Sequence, residues 1–185
     1  CILEVTMNIQ IMKAQPSDAA ELLEYLKVIG SESDNLTFGP DGIMMSVEEE
    51  EKFLASELIS ESSVTLVAKR DGKIVGNARF TGCTKARTRH RGDMGISVLK
   101  SEWGSGLGSR LMESLIDFAK NTAHAEVITL EVRQDNERAK ALYKKFGFKK
   151  TGVFEAYSKI NRIIYACSVL SGQAFFVNTD KIYKK

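Results

Sequence analysis

Several large protein classes are excluded by what this chain has little of. No apolar run approaches the ~20 residues a membrane-spanning helix needs, so no such helix is expected and no membrane partner follows. Cysteine is sparse: Cys1, Cys83 and Cys167 make an odd count with no Cys-x-x-Cys spacing. That pattern suggests neither a disulfide framework nor a zinc site, and it fits a reduced, cytoplasmic setting. The two histidines, His90 and His124, stand 34 residues apart without a carboxylate in a metalloprotease pattern, so no metal is expected. A net charge of +2 is too small to argue for a nucleic-acid partner. The opening "CILEVTMNIQ" has neither a basic start nor a long apolar centre and does not read as a signal peptide. Met7 reads as a natural start, with residues 1–6 a remnant ahead of it.

What is present is ordinary globular material. The 185 residues, 43% hydrophobic and 27% charged, are enough for one domain with a real core. "AAELLEYLKVIG" has helical spacing at Leu22, Leu23, Leu26 and Ile29, and the polar stretch Ser31–Gly42 reads as a loop. Ser46 with Glu49 makes a capping box for a second helix through "EEEEKFLASELISE". "SVTLVAK" and "KIVGNARFTG" form a hairpin about Asp71-Gly72, and "MGISVLK" is a third strand. A helix over 105–120, the strand "EVITLEV", the helix "NERAKALYKKF" and the strands "FKKTGVFE" and "INRIIYACSVL" follow. The predicted order is ααβββαβαββ, a mixed α/β sheet without repeats or linkers. "GPDGIMM" carries two methionines, expected to fill core rather than line an adaptable pocket.

The stretch "SEWGSGLGSRLMESL", 101–115, places Gly104, Gly106 and Gly108 at a helix mouth. Glycine there costs conformational entropy, and either a tight turn or a bound phosphate compensates. A Walker loop is excluded because Ser109-Arg110 stands where Lys-Ser/Thr is needed, and a dinucleotide fingerprint needs glycine at 109.

The surroundings decide between turn and phosphate. "ISVLKSEWGSGLGSRLMESLIDFA" and "ITLEVRQDNERAKALYKKFGFKKTG" resemble the core motifs of the Gcn5-related N-acetyltransferase (GNAT) superfamily, and the block Asn136–Phe148 matches in full. The motifs occupy 94–154 and the looser likeness 8–170. One departure stands out: Trp103 occupies the position where the family's loop usually has Arg or Gln. The resemblance implies a GNAT-like α/β fold, a mixed and mostly antiparallel sheet flanked by helices. It implies a single domain over 7–170. Residues 171–185 run beyond the expected last strand as a C-terminal extension, whose Phe175, Phe176 and Val177 suit pairing at an edge or across a homodimer, or else a frayed tail.

The resemblance further implies acetyl-CoA as co-substrate and no metal. The backbone of Ile96, Ser97 and Val98 would pair with the pantetheine arm, and the amides of Gly104, Gly106, Gly108 and Ser109 would hold the pyrophosphate. Asn136 looks like the asparagine that contacts the arm, though it also suits a helix N-cap. Tyr143, two turns further along the same face, resembles the general acid that protonates a departing thiolate, or else is a core aromatic. Glu131 and Asp93 are both candidates for the base, with a water-relayed deprotonation or a plain salt bridge as alternatives. Attack by the amine is direct, so Cys83 and Cys167 read as buried thiols and not nucleophiles.

The acceptor is left open. Residues 25–45 and 154–165 would line its pocket, by the same resemblance. "EEEE" at 48–51 suits a helix start or an acidic rim for cationic amines, and "KARTRHR" at 85–91 suits a solvated loop or a guide for acidic acceptors. The expected activity is acetyl transfer to a primary amine of a small molecule or peptide. An acetyl-CoA sensor without catalysis and a nucleotide-binding protein are the rival readings.

Overall fold

A computed structural model describes residues 9–173. Met7, the residues ahead of it and the apolar run Phe175, Phe176 and Val177 lie outside the described residues. The elements are β1 (Ile9–Lys13), α1 (Ala19–Glu32), α2 (Val47–Leu58), β2 (Ser63–Arg70), β3 (Lys73–Gly82), β4 (Arg91–Val98), α3 (Leu107–Asn121), β5 (Val127–Arg133), α4 (Glu137–Lys145), β6 (Lys149–Ile160) and β7 (Ile163–Gln173). One seven-stranded sheet runs in the order β1-β2-β3-β4-β5-β7-β6. Its pairs are antiparallel except β4 with β5. This is the mixed, mostly antiparallel sheet expected. The predicted order lacked β1, a five-residue edge strand too short and too unevenly buried to show a period of two.

Local sequence explains most of the elements. Asp71 and Gly72 both take positive φ, 50° and 79°, which fits the twist of a two-residue hairpin between β2 and β3. The Ser46 side chain accepts from the Glu49 amide while Glu49 reaches back to the Ser46 amide, so the first glutamates of "EEEE" cap α2.

Each face of the sheet carries its own core. On one, Leu107, Leu111, Met112 and Leu115 of α3 pack on Phe80, Met94, Ile128 and Leu130. On the other, Leu22, Tyr25, Leu26 and Ile29 of α1 meet Leu54 of α2, Val67 and Ile74. Truncating one of the fully buried leucines to alanine is expected to cost about 2–5 kcal/mol.

Two expectations fail on burial. Met44 is 97% exposed and Met45 also reaches solvent, so neither fills core; the chain turns outward there before the α2 cap, and Ile43 packs inward instead. Cys167 is a buried thiol as expected, but Cys83, just past the end of β3, is only half-buried.

Candidate active site

The site begins where two central strands part. β4 and β5 pair only from Arg91 with Val127 to Asp93 with Thr129. Beyond that vertex β4 stays with β3 as far as Val98, and β5 stays with β7 as far as Arg133. A wedge therefore opens in the sheet.

Hydrogen-bond parity says which groups face the wedge. The Leu99 amide donates to Val75 and the Cys83 amide to the Arg91 carbonyl, so odd-numbered residues of β4 turn their main chain toward β3. Even-numbered ones turn toward β5: the His90 carbonyl accepts from Glu126 and Val127, and that of Gly92 from the Thr129 hydroxyl. The polar main-chain groups of Ile96 and the amide of Val98 thus face open space, as a ligand adding a pseudo-strand would need. Ser97 is placed differently from the expectation. Its main chain faces β3, and its hydroxyl is 2.9 Å from that of Tyr25 on α1. Burial drives the Tyr25 phenol well above its usual pKa.

The glycine segment lies past the end of β4. Gly104 and Gly106 take φ of 84° and 83°, and a Cβ on either would meet nothing within 4 Å. Turn geometry therefore requires glycine at both, while the space beside them is left open. The amides of Gly104, Gly106 and Gly108 have no acceptor among the described residues. The Ser109 amide does not join them, because it donates to the Gly106 carbonyl at 3.0 Å in the first turn of α3. Its hydroxyl instead accepts from Lys145 Nζ at 3.2 Å. Trp103 borders the loop, and its indole Nε1 donates to the Val98 carbonyl at 2.9 Å, closing the free edge of β4.

α4 supplies two side chains to the same space. Asn136 is the N-cap: its Oδ1 accepts from the Ala139 amide at 3.1 Å, which leaves its amide nitrogen as a donor. Tyr143 is 7% exposed and packs against Phe148. Its hydroxyl has no hydrogen-bond partner among the described residues, and burial pushes its pKa up to about 12.

The two carboxylate candidates occupy different places. Asp93 sits at the vertex, where its Oδ1 accepts from the Thr129 hydroxyl. Glu131 lies two residues past the vertex and accepts from the hydroxyl of Tyr157. That bond, with partial burial, raises the Tyr157 pKa to about 12. A bulge in β6 between Phe154 and Ser158, with Ala156 at φ 54°, brings Tyr157 there, and Phe154 stacks beside it at 6.0 Å. Cys167, near Glu131, has its thiol pKa raised chiefly by burial.

All eleven residues singled out from the sequence border one cavity of ≈ 1440 Å³: Asp93, Ile96, Ser97, Val98, Gly104, Gly106, Gly108, Ser109, Glu131, Asn136 and Tyr143. Leu36 and Phe38 of the loop after α1, with Phe154 and Tyr157 of β6, form its far wall. Arg133 ties that loop down, donating to the Asp34 carbonyl at 2.8 Å while paired with Asp135 and stacked on Tyr165. None of Glu48–Glu51 borders the cavity, and of the 85–91 run only Arg91 does. Tyr157 falls within the 154–165 segment expected to line the acceptor pocket, but its pairing with Glu131 was not foreseen, and Arg133 and Arg138 were not among the expected site residues. Sequence signals for them are slight, since each works through a partner distant in the chain.

A family model described as the acetyltransferase (GNAT) family matches residues 34–148. The chain belongs to the GNAT family. The match spans the wedge, the glycine loop and α4 through Phe148. Among relatives, the N-alpha-acetyltransferase RimI of Mycobacterium tuberculosis is 32% identical over 105 residues, 57% of this chain and 64% of that protein. The L-amino acid N-acetyltransferase AaaT of Escherichia coli is 36% identical over 97 residues, 52% of this chain and 59% of that protein. These alignments thus span less than two thirds of either relative. A GNAT-family acetyltransferase crystal structure from Streptococcus pneumoniae superposes with a TM-score of 0.85 at 33% identity, covering 90% of this chain and 99% of that one.

Proposed function

We propose that this GNAT protein transfers an acetyl group from acetyl-CoA to a primary amine of a small molecule or a peptide, by direct attack. The observation that carries the reading is the convergence of a split sheet edge, three free loop amides and a buried phenol on one cavity. The acceptor class is supported by the two relatives, whose names place their acetylation on an α-nitrogen and on L-amino acids. A single unit over 7–170 and a cytoplasmic setting, where the cysteines stay reduced, complete the reading.

The residues present fit acetyl-CoA. The open edge at Ile96 and Val98 suits an amide-bearing arm, and the space beside Gly104 and Gly106, which any Cβ would narrow, suits a diphosphate against main chain. Bound there, acetyl-CoA supplies an activated acyl thioester. The protein's own work is positioning and proton handling. Glu131 stands past the vertex, beside the gap, and accepts a proton from the acceptor ammonium. Asp93 remains a strand tie with Thr129. Tyr143 holds its proton throughout the neutral range and would give it to the departing sulfur, while the second proton lost by the acylated nitrogen restores the phenol. Asn136 donates from its free amide nitrogen to the arm. Phe154, Tyr157, Leu36 and Phe38 seat the acceptor carbon skeleton, so the wall favours an amine with apolar substituents.

Thermal melting with acetyl-CoA, CoA and ATP tests the ligand class. Stabilisation by acetyl-CoA and CoA and not by ATP is expected. Stabilisation by ATP alone overturns the reading.

A further inference from the structure

Arg138 occupies the first turn of α4, where the helix dipole disfavours a cation. Nearby carboxylates do not compensate. Glu137 pairs with Lys140, Asp135 with Arg133 and Glu102 with Arg70, each at 2.5 Å. No carboxylate meets Arg138 among the described residues. Its guanidinium instead lies 3.9 Å from the centre of the Trp103 ring. A guanidinium stacked by its face keeps its N–H donors directed outward from its edge. Trp103 is itself fixed by its bond to the Val98 carbonyl. A charged fork is thus held at the rim of the cavity, beside the three free amides of the glycine loop.

We propose that Arg138, seated on the Trp103 indole, binds a phosphate of the CoA moiety at the mouth of the cavity. The inference rests on the function proposed above and extends it to a residue outside the glycine loop. It also accounts for the tryptophan: the polar group usual at position 103 is replaced by a platform that presents a cation from α4. Two phosphates share the needed chemistry, the diphosphate of the arm and the 3′-phosphate of the ribose.

Calorimetric titration of CoA and of dephospho-CoA, which lacks the 3′-phosphate, into wild type, Arg138→Ala and Arg138→Lys tests this. Arg138→Ala is expected to weaken CoA about 10-fold or more, as loss of a charge-assisted bidentate contact does. Arg138→Lys, which keeps the charge without the fork, should fall between. An equal loss for dephospho-CoA assigns the contact to the diphosphate, and no loss for it assigns the 3′-phosphate; both support the proposal. Arg138→Ala binding both ligands within about twofold of wild type overturns it. Wild type binding neither ligand defeats the proposed function along with it, so the two failures are distinct. The chain's single tryptophan, Trp103, supplies a local readout, because its emission should change as either ligand fills the mouth.

Discussion

Tyr157 on β6 donates its phenolic hydrogen bond across β7 to Oε2 of Glu131 on β5. The contact places a carboxylate past the vertex of the split sheet and next to the acceptor wall. Asp93 is held at the vertex itself, by Thr129. If position decides the base, the two carboxylates separate by mutation. Glu131→Gln should lower kcat by about 100-fold, within the usual range for losing a general base. Asp93→Asn should cost less than about fivefold in kcat and shift thermal stability by no more than about 0.5 kcal/mol, because the asparagine Oδ1 still accepts from Thr129 and only the charge is removed. Steady-state kinetics and melting of both variants check this, and a larger kcat loss in Asp93→Asn reverses the assignment.

Tyr143 should behave as an acid whose resting form is protonated throughout the assay range. Its pKa, pushed up to about 12 by burial, keeps the phenol protonated from pH 6 to 10. Tyr143→Phe should therefore lower kcat by about 10- to 100-fold while the shape of the pH profile in that range stays the same. The raised value also has a sign for stability. The folded phenol titrates above the unfolded one at 10.0, so its contribution is complete below pH 10 and declines as pH rises toward 12. Alkaline melting of wild type should show that decline, and Tyr143→Phe should lack this part of it.

The glycine loop should reject side chains for the ligand's sake more than for the fold's. At Gly106 an added Cβ meets no atom, so Gly106→Ala pays chiefly for positive φ, about 1–2 kcal/mol. Acetyl-CoA affinity should fall more steeply than that strain requires, by at least about 100-fold, because backbone approach is blocked. Calorimetry beside melting separates the two effects. Equal affinity in the variant removes the loop from the cofactor site.

Arg133 should act on the acceptor alone. It anchors the loop carrying Leu36 and Phe38 through the Asp34 carbonyl. Arg133→Ala should raise the acceptor KM about 10-fold, in line with losing a hydrogen bond to a charged group, and leave the acetyl-CoA dissociation constant within about twofold. A matching loss of acetyl-CoA affinity contradicts that division of labour.

Features set by spacing along the chain were legible in the sequence. Asn136 and Tyr143 share a helix face because seven residues make two turns, and Asp71-Gly72 permits one kind of hairpin. Features set by pairing across the sheet were not. That Ser97 turns its main chain away from the wedge follows from hydrogen-bond parity, which no motif encodes. The Ser109 amide is spent inside the first helical turn for a similarly local geometric reason. Tyr157 meets Glu131 only because β6 bulges at Ala156, and Arg138 meets Trp103 from another element altogether. Met44 shows the converse error: apolar character suggested core where the chain turns outward.

The central claim is that this cavity carries out acetyl transfer and does not merely hold acetyl-CoA. Release of CoA thiol from acetyl-CoA, followed across a panel of L-amino acids, polyamines and peptides with free N-termini, tests it most directly. At least one primary amine should yield CoA and acetylated amine in equal amounts, with an acceptor bearing an apolar side chain preferred. Tight acetyl-CoA binding with no CoA release above hydrolysis for any amine would contradict the account and leave a sensing module in its place.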